Sequence, residues 1–206
     1  MITKRIFDIF FSLLLIILLS PFFLIISILI LVTSGFPVIF KQIRICQYGK
    51  RFIIYKFRTM KNNDQLNTIS VSGDSRITGI GKYLRKSKLD ELPELFNILK
   101  GDMSFVGFRP DVPGYFDNLP EEYRMILDFR PGLTGPASLK YIDEEKLLES
   151  VKNPKEYNDK EIFPDKLRLN KLYVENWSFW LDIKIIFYTI FRIKFSESKF
   201  FKKYES

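Results

Sequence analysis

The sequence predicts an α+β protein: a mostly helical, compact cytoplasmic domain with a small strand pair, preceded by a re-entrant membrane helix and carrying interfacial amphipathic helices. Three observations lead there. Residues Ile6 to Val32 are apolar except for Asp8, Ser12, Ser20, Pro21 and Ser27. After Gly35 and Pro37 the pattern changes to short strand-like runs and then to helical periods. The chain is also basic and aromatic at once, with 32 Lys and Arg against 24 Asp and Glu, a net charge of +8, 16% aromatics and 21 Phe among its 206 residues. That length suits one soluble domain plus a membrane element, and the charge suits anionic partners such as headgroups and nucleotides.

The apolar run would measure ~40 Å as a helix at ~1.5 Å per residue, enough for a hydrocarbon core of ~30 Å. A cleaved signal peptide fits poorly, because the run is long and no small-residue cleavage site follows it. Pro21 interrupts it, removing the bond to the Ile17 carbonyl, and Ser20 is placed to hydrogen-bond the freed backbone. Basic residues flank both ends: Lys4 and Arg5 before it, Lys41, Arg44, Lys50 and Arg51 after it. A spanning helix would leave one cluster on the disfavoured side. A helix that breaks at Ser20-Pro21 and returns keeps both in the cytoplasm, so residues 1–35 are expected as a re-entrant element. The alternative is a tilted span that tolerates its proline.

Residues 36–195 read as one domain. "VIFKQIR" and "RFIIYKFRTM" (Arg51 to Met60) predict two strands joined at Tyr48-Gly49. Lys61 to Ser75 is polar and reads as a loop, and "GIGKYLRKS" as a short basic helix. In "SKLDELPELFNILKGDMSFVGFRP", Leu92, Leu95, Phe96 and Leu99 recur at i, i+3, i+4 and i+7, predicting a helix with one buried face that ends at Gly101. Further helices are expected over Glu121 to Phe129, "EEKLLESV" and "DKLRLNKLYVEN". Trp177 to Phe195 mixes aromatics with Asp182, Lys184, Arg192 and Lys194, too charged to span but suited to the headgroup region. Residues 196–206 are expected as a basic tail.

Composition narrows the chemistry. There is no histidine, which excludes imidazole triads and His-ligated zinc. The single cysteine, Cys46, excludes an internal disulfide and a thiolate cluster. Carboxylates are therefore the best catalytic candidates. Asp90 and Glu91 fall at the start of the predicted helix, where free N–H groups and the dipole favour their ionised forms. Such pairs are common at helix starts for that reason alone. The surrounding Lys56, Arg58, Arg76, Lys82, Arg85, Lys86, Arg109 and Arg130 shift the reading towards a diphosphate ester and a divalent cation; Lys82 and Lys86 also fit a merely solvated face.

"KRIFD" (Lys4 to Asp8), "YKFRTM" (Tyr55 to Met60), "DSRIT" (Asp74 to Thr78), "LDELPELFNILKGDMSFVG" (Leu89 to Gly107), "RPGLTG" (Arg130 to Gly135) and "FWLDIKI" (Phe179 to Ile185) occur in that order. In these motifs the chain resembles the small monotopic phosphoglycosyl transferases, bacterial sugar transferases that initiate membrane-linked glycan assembly. The resemblance runs from about Lys4 to Phe195. It implies a re-entrant helix with a Ser-Pro break at Ser20 and Pro21, seated in the bacterial inner membrane with the active site on the cytoplasmic face. It implies transfer of a sugar 1-phosphate from a UDP-sugar to polyprenol phosphate, with Mg2+, releasing UMP. Asp90 would attack the sugar-bearing phosphorus and hold magnesium, and Glu91 would take a proton from the polyprenol phosphate or support the metal. Arg109 is the expected phosphate ligand, with Lys56, Arg58, Arg85 and Arg130 as weaker ones. Phe108, Pro136 to Tyr141 and Asn170 depart from the family pattern, which touches donor choice more than reaction class. The rivals are a non-catalytic basic membrane-surface binding protein, a transferase of a non-sugar phosphoryl group, and a nucleic-acid binder. The membrane segment and the carboxylate block speak against the last, so nucleic acid is not an expected partner.

Overall fold

The computed structural model describes residues 1–61 and 76–201. The loop expected up to Ser75 lies, except for Lys61, outside the described residues, as do the last five residues of the tail.

The apolar run forms two helices, α1 (Ile2–Leu18) and α2 (Ser20–Ser34), bent by 60° at Leu19. Pro21 sits in the first turn of α2, where it has no helical bond to lose. The Ser20 hydroxyl donates to the Ile17 carbonyl at 2.8 Å, in the last turn of α1 beside the break. No single helix among the described residues is long and apolar enough to cross a membrane; the bent pair meets that test only together. The inward face of α1 is its polar one: Lys4, Asp8 and Ser12, four residues apart, are buried, while Ile6, Phe10 and Ile17 face outward.

β1 (Ile39–Ile45) and β2 (Arg51–Phe57) form an antiparallel hairpin, with Ile45 opposite Arg51. Between them Tyr48 and Gly49 both take positive φ, 60° and 70°, a conformation that reverses the chain tightly. The outer edge of β2 is closed by one side chain. Asn97 accepts from the Tyr55 N–H at 3.0 Å and donates to the Ile53 carbonyl at 2.7 Å, mimicking a third strand.

α3 (Gly79–Ser87) is capped by Thr78, whose hydroxyl accepts from the Gly81 N–H. Lys88 follows in the left-handed region at φ 60°, turning the chain into a 3₁₀ turn, Leu89–Glu91, and then into α4 (Glu94–Lys100). The helix thus begins at Glu94, and its buried face is Glu94, Leu95, Asn97 and Ile98. This corrects the expected stripe. The tighter 3₁₀ turn breaks the phase that joined Leu92 to Leu95, and Phe96 is 45% exposed, its ring edge-on to Phe23 at 5.7 Å.

A second sheet, which the sequence pattern does not predict, pairs β3 (Ser104–Val106) with β4 (Gly132–Thr134) in parallel. Backbones pass so closely that a Cβ at Gly107 would lie 2.2 Å from the Arg130 carbonyl oxygen, and one at Gly132 would lie 2.1 Å from the Gly107 nitrogen. Two motif glycines are explained by that contact. The segment Glu121–Asp128 is helical as expected, but of the 3₁₀ kind. There follow α5 (Pro136–Lys140), α6 (Glu144–Glu149), α7 (Pro154–Tyr157), α8 (Phe163–Glu175), α9 (Phe179–Ile190) and α10 (Glu197–Phe200).

The core is built around β3, α8 and α9, where Val106, Leu169, Tyr173 and Ile185 are buried together. Phe200 and Phe201 join it, so the first part of the tail packs on the domain. Leu95 and Ile98 of α4 meet Phe52 and Ile54 of β2 under Leu15, Leu19 and Phe23 of the bent pair. A buried polar knot ties α1 to α9: Asp182 accepts from Lys4 at 2.5 Å, from the Tyr173 hydroxyl at 2.6 Å and from the Trp177 indole at 3.2 Å. Asp8 accepts from the Ser104 hydroxyl and the Phe105 N–H, each at 3.1 Å. The motifs "KRIFD" and "FWLDIKI" therefore carry a docking contact across 178 positions.

Candidate active site

The turn at Lys88 presents Asp90 and Glu91 side by side just before α4, and both are buried. Glu94 follows in the first turn of the helix and is buried more completely still. β2 passes alongside and contributes Lys56. The loop after β3 contributes Arg109. The Lys56 ammonium lies 3.0 Å from Glu91 Oε1 and 3.1 Å from Glu94 Oε1. It is in line for a hydrogen bond only to Glu91, so Glu94 Oε1 has no donor. Arg109 Nη2 donates to the same Glu91 oxygen at 2.5 Å. Asp90 Oδ1 is buried with no partner.

Three acids thus stand in three electrostatic conditions. Burial raises the Asp90 carboxyl above the usual carboxylate range, only partly opposed by Lys56, and the neighbouring Glu91 charge raises it further. Burial works the same way on Glu91, but Arg109 and Lys56 overcome it and hold that carboxyl well below its ordinary value. Glu94 is pushed by burial up to about 7, against the pull of Lys56 and with the push of Glu91. Glu91 in return holds the Arg109 guanidinium charged more firmly than usual, against the partial loss of water around it.

Of the residues singled out from the sequence, the fold brings together Asp90, Glu91, Lys56 and Arg109. Arg85, in the last turn of α3, adds its field at Asp90. Two others are not part of the cluster. Arg58 donates to the carbonyls of Ser34, Gly35 and Phe36, the last at 2.7 Å, and so caps the end of α2. Arg130 Nε donates to the Gly101 carbonyl at 2.8 Å, at the far end of α4. Both answer carbonyls at the C-terminal ends of helices, so the structure places them on the scaffold and not among the groups around Asp90 and Glu91.

Arg44 stands within the electrostatic reach of Arg109, Glu91 and Glu94, and is not among the residues the sequence singles out as site candidates. It reaches from β1 to the Pro110 carbonyl at 3.3 Å and to Asp111 at 3.4 Å, and its Nε is buried without a partner. Burial lowers its affinity for the proton, Asp111 opposes this, and the nearby Arg109 charge adds to the lowering. Glu94 escapes the sequence too, because the helical spacing makes it an outward residue. The only sequence signal for either is proximity to the motif. The departures from the family pattern lie elsewhere: Phe108 fills the core against Phe116, with ring centroids 4.6 Å apart, Pro136 opens α5, and Asn170 is buried in α8. A surface depression of about 420 Å³ lies between the hairpin turn and the Glu121–Asp128 segment, and none of its lining residues belongs to the carboxylate cluster.

Among the described residues no three acidic, histidine or cysteine side chains are arranged to hold a metal by themselves. The Asp90 oxygen without a partner does fit magnesium of the kind that takes one or two carboxylates and draws its other ligands from water and substrate phosphates.

The family model described as "Bacterial sugar transferase" matches residues 1–196. A UDP-glucose:undecaprenyl-phosphate glucose-1-phosphate transferase of Klebsiella pneumoniae is 38% identical over 198 residues, covering 93% of this chain and 40% of that protein. A UDP-N-acetylgalactosamine-undecaprenyl-phosphate N-acetylgalactosaminephosphotransferase of Aeromonas hydrophila is 37% identical, covering 91% of this chain and 42% of that protein. The chain thus spans about two fifths of the length of these relatives. "Uncharacterized sugar transferase EpsL" of Bacillus subtilis is 35% identical, and there the match covers 96% of this chain and 90% of the relative.

Proposed function

The chain belongs to the bacterial sugar transferase family, and from that premise we propose that it moves a sugar 1-phosphate from a UDP-sugar to undecaprenyl phosphate, releasing UMP. The observation that carries this reading is the contrast within one cluster. Asp90 keeps a buried oxygen free of partners, while the adjacent Glu91 is held by Lys56 and Arg109. A carboxylate oxygen with no donor on it is available as a nucleophile, and the two cations on the adjacent Glu91 suit the charge of a diphosphate.

In the first step an Asp90 oxygen bonds to the sugar-bearing phosphorus, and the bond from that phosphorus to the bridging oxygen breaks. UMP leaves with the bridging oxygen and the electron pair, and the sugar phosphate stays on Asp90. In the second step an oxygen of undecaprenyl phosphate attacks the same phosphorus and the bond to Asp90 breaks. The products are the polyprenol diphosphate sugar and a restored carboxylate. Arg109 offers its planar fork to the phosphate oxygens, and its side chain is 39% exposed. Glu91 is a poor proton acceptor while both cations hold it. It becomes a better one when Lys56 and Arg109 turn to the donor, which ties proton uptake to substrate binding. Magnesium held by Asp90 would supply charge neutralisation of the phosphate oxygens.

We assign the bent pair a re-entrant seat in the bacterial inner membrane, with the domain on the cytoplasmic face. Its two ends are tied to one domain, through Lys4 to Asp182 and through Arg58 to the carbonyls after α2. Its vertex exposes Ile17, Leu18 and Phe22. Trp180 and Phe187 of α9, with Phe191 just after it, are exposed for the headgroup region. The donor sugars of the relatives, glucose and N-acetylgalactosamine, are the first to try.

The test is UMP release in nanodiscs, with magnesium, undecaprenyl phosphate and a panel of UDP-sugars, run on wild type and Asp90→Asn. Release by wild type alone, with a phosphosugar trapped on the protein when the acceptor is withheld, is the expected result. Silence of a folded, membrane-bound wild type across the panel would favour the binding-protein reading instead.

A further inference from the structure

Glu94 is unaccounted for by the two-step transfer. Its side chain is 2% exposed, one of its oxygens has no hydrogen-bond donor, and a buried carboxylate in that condition is costly unless a cation stays beside it. The cation is Lys56, whose flexible stem runs in from β2 and whose ammonium is shared between Glu91 at 3.0 Å and Glu94 at 3.1 Å. The two acids are not equivalent holders. Glu91 precedes α4, shares its oxygen with Arg109 and borders Asp90. Glu94 is inside the helix, one turn deeper, with its backbone fixed by α4 and its neighbours Leu95 and Ile98 in the core.

We propose that Glu94 is a positioning residue of the transfer: its buried carboxylate is the fixed counter-ion that keeps the Lys56 ammonium aimed at the Asp90-Glu91 mouth. This inference rests on the transfer reading. A lysine held by Glu91 alone would lose its only anchor when an incoming diphosphate competes for it. Held from behind by Glu94, it can exchange Glu91 for a phosphate oxygen and return when UMP leaves, with little displacement. The groups facing Glu94 suit that role, with Lys56 from β2, Glu91 from the turn, Arg109 from the loop after β3 and Arg44 from β1. Burial leaves Glu94 ready to take a proton near pH 7. Departure of Lys56 is thereby offset by a proton instead of leaving a bare buried charge.

The experiment is a double-mutant cycle in donor-dependent UMP release, with kcat and KM separated, on wild type, Glu94→Gln, Lys56→Met and the double variant. Glutamine keeps the shape and removes the charge. A positioning role predicts a kcat loss of roughly ten-fold for Glu94→Gln, with donor KM within about two-fold, since misplacement of one group lowers the chemical step more than binding. In the Lys56→Met background the same substitution should change kcat by less than about two-fold, because contacts acting through one partner are not additive. Equal kcat losses in both backgrounds, or none in wild type, would overturn the inference while leaving the transfer reading intact. Silence of wild type itself would take down both.

Discussion

The two ends of α4 carry the same kinds of charge and use them in opposite ways. At its start, Glu91 and Glu94 receive Lys56 and Arg109, and Asp90 keeps an oxygen free. At its finish, Arg5 donates to the Ile98 carbonyl at 2.6 Å and to the Leu99 carbonyl at 2.8 Å, and Arg130 donates to the Gly101 carbonyl. One end gathers side-chain charge that a substrate can redistribute. The other spends its guanidiniums on backbone carbonyls at the end of the helix. An arginine near a helix end therefore says little until its partner is known: carbonyls mark scaffold, and a carboxylate with an unpartnered neighbour marks chemistry.

The sharpest way to break that contrast is Asp90→Asn. UMP release should fall on the order of 10³-fold or more, as removal of a nucleophile does, while the melting temperature stays level or rises because a buried charge without a donor is gone. Next in size is Arg109→Ala, with an expected loss of roughly 100-fold in kcat/KM, the scale seen when one charge-stabilising donor is removed. Its mirror is Arg130→Ala. That change should cost about 1–2 kcal/mol of stability, the range of one charged hydrogen bond to backbone, and leave turnover per folded molecule within a few-fold. Urea unfolding beside the UMP assay reads both. If Arg130→Ala were as inactive as Arg109→Ala and equally stable, the division of α4 into a chemical and a structural end would fail.

The smallest effect is a pH slope. Glu94 is raised from an ordinary 4.5 to about 7 by burial, so the folded state holds its proton where the unfolded chain has released it. Its contribution is fully present below pH 4.5 and is lost as pH rises towards 7. The wild-type melting temperature should therefore fall relative to that of Glu94→Gln as pH rises across that window. Parallel curves would show that Glu94 is not held in the buried, proton-retaining state.

Much of this is legible from local pattern. The break beside Ser20 and Pro21, the hairpin turning at Tyr48-Gly49 and the Asp90-Glu91 pair before a helix each depend on residues within a turn of one another. What escapes is non-local or too short. β3 and β4 are three residues each and pair Ser104 with Gly132 across several intervening elements, so no alternation announces them. Arg58 and Arg130 lie within motifs and read as ligands, yet their partners are carbonyls of elements distant in sequence. Phe96 matches the expected apolar period and is exposed towards the bent pair, while Glu94 and Asn97 are polar and buried. A burial pattern taken from apolarity alone inverts wherever a helix buries side chains for charge pairing or for closing a strand edge.

By itself, then, the order of residues determined the class of fold, the break in the apolar run and the pair of carboxylates. Each follows from short-range rules: helix period, proline geometry and turn conformation. The tertiary structure decided which cations face those carboxylates, that Glu94 shares Lys56 with Glu91, and that Lys4 is locked to Asp182 near the opposite end of the chain. The reason is physical. Charge pairing depends on distance in space and on the loss of water around the pair, and both are set only when separate elements pack together.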